Sequence, residues 1–215
     1  MNRLLPFLTV AALIASPTSA RAQELAILGQ VGTTGVGGGA VISLTDRVHL
    51  RGTVGFAPLE VNLNISDIDF TIEPPTSFRA MIDLYPTGSF RLTGGVFVQG
   101  DVDVTGDLEG TATVDVGNQT YTVTEVGTLS GNLSFDTALY GGIGFGNPIG
   151  KSVGINFDLG LAVRSEPAVS LDASGPISAD ATFQAELARE EMDAQEDATV
   201  LRYWPVISLS ISIGL

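Results

Sequence analysis

Apolar and polar residues alternate along most of the chain after residue 23, and a period of two is the mark of strands with two different faces. Val48, Leu50, Gly52, Val54 and Phe56 share one face, with His49, Arg51 and Thr53 on the other. Phe78, Ala80, Ile82 and Leu84 alternate with Arg79, Met81, Asp83 and Tyr85. Phe90, Leu92, Val96 and Val98 alternate with Arg91, Thr93, Phe97 and Gln99. Further along, Leu133, Phe135, Leu139, Ile143 and Phe145 oppose Ser134, Asp136, Ala138, Tyr140 and Gly144. The apolar residues from Val153 to Val163 oppose Gly154, Asn156, Asp158, Gly160, Ala162 and Arg164, and those from Ile207 to Leu215 oppose three serines and Gly214. An all-β chain with six strands after Arg47 is predicted.

The apolar faces carry almost no charge, whereas the polar faces hold Gly, Ser, Asn, Asp and Arg. Such faces suit an antiparallel up-and-down transmembrane β-barrel, apolar toward lipid and polar toward the lumen. Alternation alone fits a soluble β-protein with an apolar core as well. Closure of a bacterial barrel ordinarily needs an even strand count. Leu25 to Gly32 and Val36 to Leu44, turned by Thr33-Thr34-Gly35, supply two more strands and make about eight. The rival is one long strand from Leu25 to Leu44, with Val61 to Ile72 as the eighth. Thr45-Asp46, Pro86-Thr87-Gly88 and residues 147–152 are turns rich in turn-forming residues. Residues 58–76, 101–132 and 166–199 are long connections, expected to be loops on the opposite, outward side.

One short helix is expected in the last long loop, over residues 179–198. Phe183 and Leu187 lie one helical turn apart, Glu186 and Glu190 form a neighbouring acidic face, and Ser178 or Asp180 is placed to cap it. Either a solvated helix or one that covers the pore or a partner fits that pattern.

Residues 1–22 read as a signal peptide, with Arg3 ahead of the apolar run Leu4 to Ala15 and Ala20-Arg21-Ala22 as cleavage site. The apolar run is too short for a spanning helix, which needs about 20 residues. Residues 23–215 are then a single barrel domain. The formal charge of −14 argues against nucleic acid, whose phosphates need clustered Lys and Arg. Of 24 acidic residues, 19 fall in the three long connections with Arg189 as the one basic residue there. No cysteine is present, which removes disulfides and thiolate metal sites.

The opening Gly-Thr-Thr-Gly-Val-Gly-Gly-Gly, Asp83-Leu84-Tyr85-Pro86, Ser89-Phe90-Arg91-Leu92-Thr93-Gly94-Gly95, Phe157-Asp158-Leu159-Gly160 and Tyr203-Trp204-Pro205-Val206 resemble small Gram-negative outer-membrane β-barrel proteins. These are the eight-stranded barrels of the broad OmpA-like and OmpW-like type. The resemblance implies the outer membrane as location, with its lipid and lipopolysaccharide and the barrel-assembly machinery as partners, and a structural or interaction role. Such barrels usually finish on an aromatic residue that the machinery reads; this chain has Leu215 there.

Candidate chemistry is sparse. His49 is the only histidine, so a Ser-His-Asp triad would need it, yet no G-x-S-x-G elbow is present. No catalytic residue and no cofactor is assigned. Asp136 and Asp158 as paired carboxylates are a weaker reading than ion pairing with the arginines of the same faces. Asp101-Val102-Asp103-Val104-Thr105-Gly106-Asp107 begins like a calcium loop, but position twelve is Ala112, so a projecting strand is expected and no metal site is assigned. Three Asn-x-Ser/Thr matches at Asn64, Asn118 and Asn132 carry no weight, since such matches arise by chance and the other signals look bacterial.

Arg51, Arg79, Arg91, Arg164, Asp83, Asp136 and Asp158 all fall on polar phases. An Arg facing lipid at the bilayer midplane costs about 2–4 kcal/mol, so these residues are expected in the lumen as an ion-pair network with His49 at its edge. Gly142, Gly144, Gly154 and Gly160 on the same faces would leave space beside Tyr140 and Phe97 for a small ligand or narrow pore.

Overall fold

The structure is a computed structural model and describes residues 24–56, 61–65, 68–73, 75–107 and 113–215. Residues 1–22, expected as a signal peptide, lie outside the described residues, as does Ala112. Along the chain, β1 (Leu25–Gly32), β2 (Gly35–Thr45) and β3 (Val48–Phe56) are followed, in the first long connection, by β4 (Val61–Ile65) and β5 (Ile68–Glu73). Next come β6 (Ser77–Thr87) and β7 (Phe90–Gln99). The second long connection holds β8 (Val102–Asp107), β9 (Thr113–Val116), β10 (Gln119–Thr122), the one-turn helix α1 (Val123–Val126) and β11 (Leu129–Ser134). Then β12 (Ala138–Phe145) and β13 (Val153–Val163) precede a third connection with β14 (Ala168–Ala173) and α2 (Ala181–Ala198), and β15 (Tyr203–Gly214) ends the fold.

Eight strands close an antiparallel barrel in the order β1-β15-β13-β12-β7-β6-β3-β2. The N-terminal stretch supplies two of them, β1 and β2, with Ala26 opposite Val41 and Gly32 opposite Gly35. The single long strand is therefore ruled out; Val61 to Ile72 joins a different sheet. β1 also pairs with β15 from Ala26–Gly214 to Gly32–Ser208, which seals the cylinder and leaves no edge in the barrel.

The two phases of each barrel strand separate as lipid solvation requires. Ile27, Val54, Ile82, Leu92, Leu139, Leu159 and Leu209 all point outward and are exposed. Arg51, Arg79, Asp83, Arg91, Asp158, Ser208, Ser210 and Ser212 point inward and are buried. A continuous apolar belt of this kind is rare on a protein surrounded by water. No described helix is long and apolar enough to cross a membrane, so any crossing is made by strands.

The three long connections do not form separate loops. They combine into a five-stranded sheet, β14-β11-β8-β5-β4, with β9 and β10 as an adjoining hairpin. We call this unit the cap. Val104, Leu129, Leu133, Val169 and Leu171 fall on one face of its sheet; Asp103, Thr105, Ser130, Asn132, Ser170 and Asp172 fall on the other. Helix α2 shields the apolar side. Asp180 caps it by accepting from the amides of Thr182 and Phe183, and Phe183 and Leu187 pack with Val116, Tyr121, Val126 and Ala173. The helix also covers the sheet edge: Gln195 and Glu191, one turn apart, accept from the amides of Val169 and Leu171 in β14. One face of the helix is thus packed on the cap, and its other face is exposed to solvent.

Candidate functional site in the lumen

An eight-stranded barrel has an interior just wide enough for side chains to fill. Charge occupies the middle of this one. Arg51 of β3 donates from Nη1 and Nη2 to the two oxygens of Asp158 on β13, at 2.9 and 3.0 Å. Its Nη2 and Nε also reach Asp83 of β6 at 2.9 and 2.8 Å. Arg91 of β7 donates to Asp158 at 2.7 Å, and Thr93 donates to Asp83 at 2.6 Å. β3 and β13 stand four strands apart in either direction around the ring, so the Arg51–Asp158 pair spans the lumen at its full width. Burying ions costs several kcal/mol each and is offset only by good geometry and nearly complete hydrogen bonding. The forked Arg51–Asp158 contact supplies that geometry, while toward Asp83 the Arg51 Nη2 donates the one hydrogen bond and Nε lies within ion-pair distance.

His49 lies below this cluster, toward the short turns, with its ring 4.7 Å from that of Tyr85. Ser43, its ladder partner on β2, donates instead to the Thr45 carbonyl, so the pair makes no nucleophile–base contact. Deeper toward the same end, Ile149 from the connection between β12 and β13 packs with Ala26, Leu28 and Val41 and fills the mouth.

Above the cluster the arginines are handled differently. Arg79 donates to Gln30 at 2.8 Å and to Thr53 at 3.1 Å. Arg164 donates to Gln99 at 2.9 Å and sits by the rings of Phe135, Phe97 and Trp204, at 4.2, 5.7 and 6.0 Å. Neither makes an ion pair among the described residues. Asp136, expected as a partner, is exposed in the connection ahead of β12 and accepts from Ser165. The strand phase breaks at Phe135, which turns over Arg164, so extrapolating the β12 alternation backward misplaces Asp136. Sequence reasoning also leaves Gln30 out of the network and gives Gln99 no partner; their signal is an amide on the inward phase. Four buried arginines therefore face two buried aspartates in the described lumen.

The inward glycines do not leave a free cavity. Tyr140 lies across Gly160, and Arg91 lies against Gly144, so that a Cβ at either would collide with these side chains, while a Cβ at Gly142 would meet the backbone of Leu159 and Gly160 with the Tyr140 hydroxyl close by. Glycine is needed there to admit a large neighbour. Gly154 gives its room to Ser212.

No family model matches the chain and no curated protein matches its sequence. Solved structures do resemble it. CarO2 of Acinetobacter baumannii superposes with a TM-score of 0.59 at 18% identity, over 90% of this chain and 99% of that one. The chain shares its barrel fold. CarO of the same organism gives 0.52 at 22% identity, over 87% and 96% of the two chains. A major outer membrane protein from Thermus thermophilus gives 0.47 at 13% identity, over 90% and 100%. At these identities the likeness to CarO and CarO2 is one of fold, a small closed barrel.

Proposed function

We propose that the chain is an exported outer-membrane barrel whose lumen is closed by its own side chains and whose acidic cap faces the medium, in a structural or interaction role. The observation that carries this reading is the Arg51–Asp158 pair, which joins opposite walls of the barrel while the outward faces remain apolar. Lipid and lipopolysaccharide then surround the barrel, and the barrel-assembly machinery inserts it. The cap gathers the acidic long connections on the side opposite the short turns, the side that faces outward in barrels of this class. The test has two parts. The protein should require detergent for extraction and run at different gel mobilities before and after boiling, and protease added to intact cells should cut within residues 101–132 or 166–199. A protein recovered in the periplasm without detergent contradicts the barrel placement, and cleavage only after the outer membrane is broken contradicts the orientation.

A further inference from the structure

Arg164 presents an unfinished binding arrangement. It is 5% exposed, yet among the described residues its Nε and Nη1 have no acceptor, and its one side-chain hydrogen bond goes to the neutral oxygen of Gln99. The indole Nε1 of neighbouring Trp204 is also buried without an acceptor. Three N–H donors at this end of the lumen thus lack an acceptor among the described residues, beside rings that offer apolar walls. A buried donor without a partner costs free energy, more when it is charged. A cavity of about 210 Å³ opens at this end of the barrel, lined by Thr34, Ser77, Phe97, Gln99 and Trp204 among others. Gln99 forms part of that wall and accepts from the guanidinium of Arg164, which is not itself a wall residue.

We propose that this cavity binds a small organic carboxylate with a flat apolar body. The carboxylate replaces the Gln99 amide as acceptor and takes Arg164 in the two-pronged geometry that guanidinium and carboxylate share, while the body lies against Phe97 and Trp204. The size of the ligand follows from the cavity, which is below the roughly 300 Å³ at which drug-sized sites begin. Its charge follows from the lumen, where Arg79 and Arg164 have no carboxylate of their own among the described residues. The site rests on the barrel of the proposed function but needs only its fold and not its placement in the outer membrane, so detergent extraction and protease access report the placement, gel mobility the fold, and ligand binding the site.

Trp204 is the only tryptophan in the chain and gives a direct readout. Titration of the full detergent-extracted protein with benzoate at fixed ionic strength should change its fluorescence saturably, whereas benzyl alcohol, with the same ring and no charge, should not. Arg164→Gln should weaken benzoate binding by about tenfold or more while the unboiled gel mobility is kept. Gln99→Glu supplies a tethered carboxylate to the same guanidinium; it should abolish the benzoate response and raise the unfolding temperature, and it serves as the test even if Arg164→Gln does not fold. No saturable response in the parent overturns the proposal, as does an equal response to benzyl alcohol or to inorganic phosphate. Unchanged benzoate binding in folded Arg164→Gln or in Gln99→Glu overturns it as well.

Discussion

The barrel and the cap are built from the same period-two strands and bury opposite faces. In β13 of the barrel, Asn156 and Asp158 are inside while Phe157, Leu159 and Leu161 are exposed. In the cap, Phe183, Leu187 and Ala173 are buried, and Asp103, Ser170 and Asp172 lie toward solvent. Alternation therefore specifies two faces without specifying which one goes in; the surroundings decide. Lipid accepts Leu159, so the barrel can place charge in its interior, where each ion must find a partner. Water accepts Asp103, so the cap sheet needs a helix over its apolar side.

Breaking the barrel interior should have the largest effect. Asp158→Ala leaves Arg51 and Arg91 buried with one shared carboxylate, Asp83, and should cost about 3–5 kcal/mol, read as a lower unfolding temperature in detergent. A loss below about 1 kcal/mol would mean that water solvates these arginines. In the cap the equivalent cost is a cavity. Phe183→Ala should remove about 3 kcal/mol from the cluster with Tyr121 and Leu187, and it should expose the cap to protease while the barrel keeps its unboiled mobility. If barrel mobility changes too, the two regions unfold as one unit.

The outward face separates lipid from water as its solvent. Leu159→Arg should cost about 2–3 kcal/mol in a bilayer, since a charge there meets hydrocarbon. The same change at an exposed leucine in water is nearly neutral, so a neutral outcome on bilayer refolding denies a lipid-facing barrel. The smallest effect is expected at the start of α2. The amides of Phe183 and Thr182 hold the Asp180 carboxyl below its ordinary range. A depressed native value gives stability that is present above the ordinary aspartate range and lost as pH falls through the lowered value. Acidification should fray this helix first at Thr182 and Phe183, seen as faster amide exchange there, and Asp180→Asn should remove most of that pH dependence.

The barrel was legible in the sequence because each strand carries its own evidence: Val153 to Val163 alternates without reference to any neighbour. The cap was not. Val102 and Val104 continue an apolar phase, as do Leu129 and Leu133 and then Val169 and Leu171, but their strands pair across more than twenty residues and nothing local fixes that register. The helix was legible from Phe183, Leu187 and Asp180; its role at the sheet edge depends on Glu191 and Gln195 meeting β14, which is a tertiary fact. The inward position of Arg51, Asp83, Arg91 and Asp158 follows from phase alone, whereas their pairing depends on strand order around the ring. Asp136 misled because its phase was carried across a connection. The glycines misled because small residues permit either a cavity or a large neighbour, and here Tyr140 and Arg91 take the space.

A sealed lumen is most directly tested by conductance in a planar bilayer. The parent should show no resolved ion-conducting steps. The double variant Arg51→Ala/Asp158→Ala, which removes the pair spanning the lumen, should conduct, and should prefer anions because Arg79 and Arg164 remain along the path without carboxylate partners among the described residues. A parent that conducts as well as the double variant, or a folded double variant that stays closed, would contradict the account.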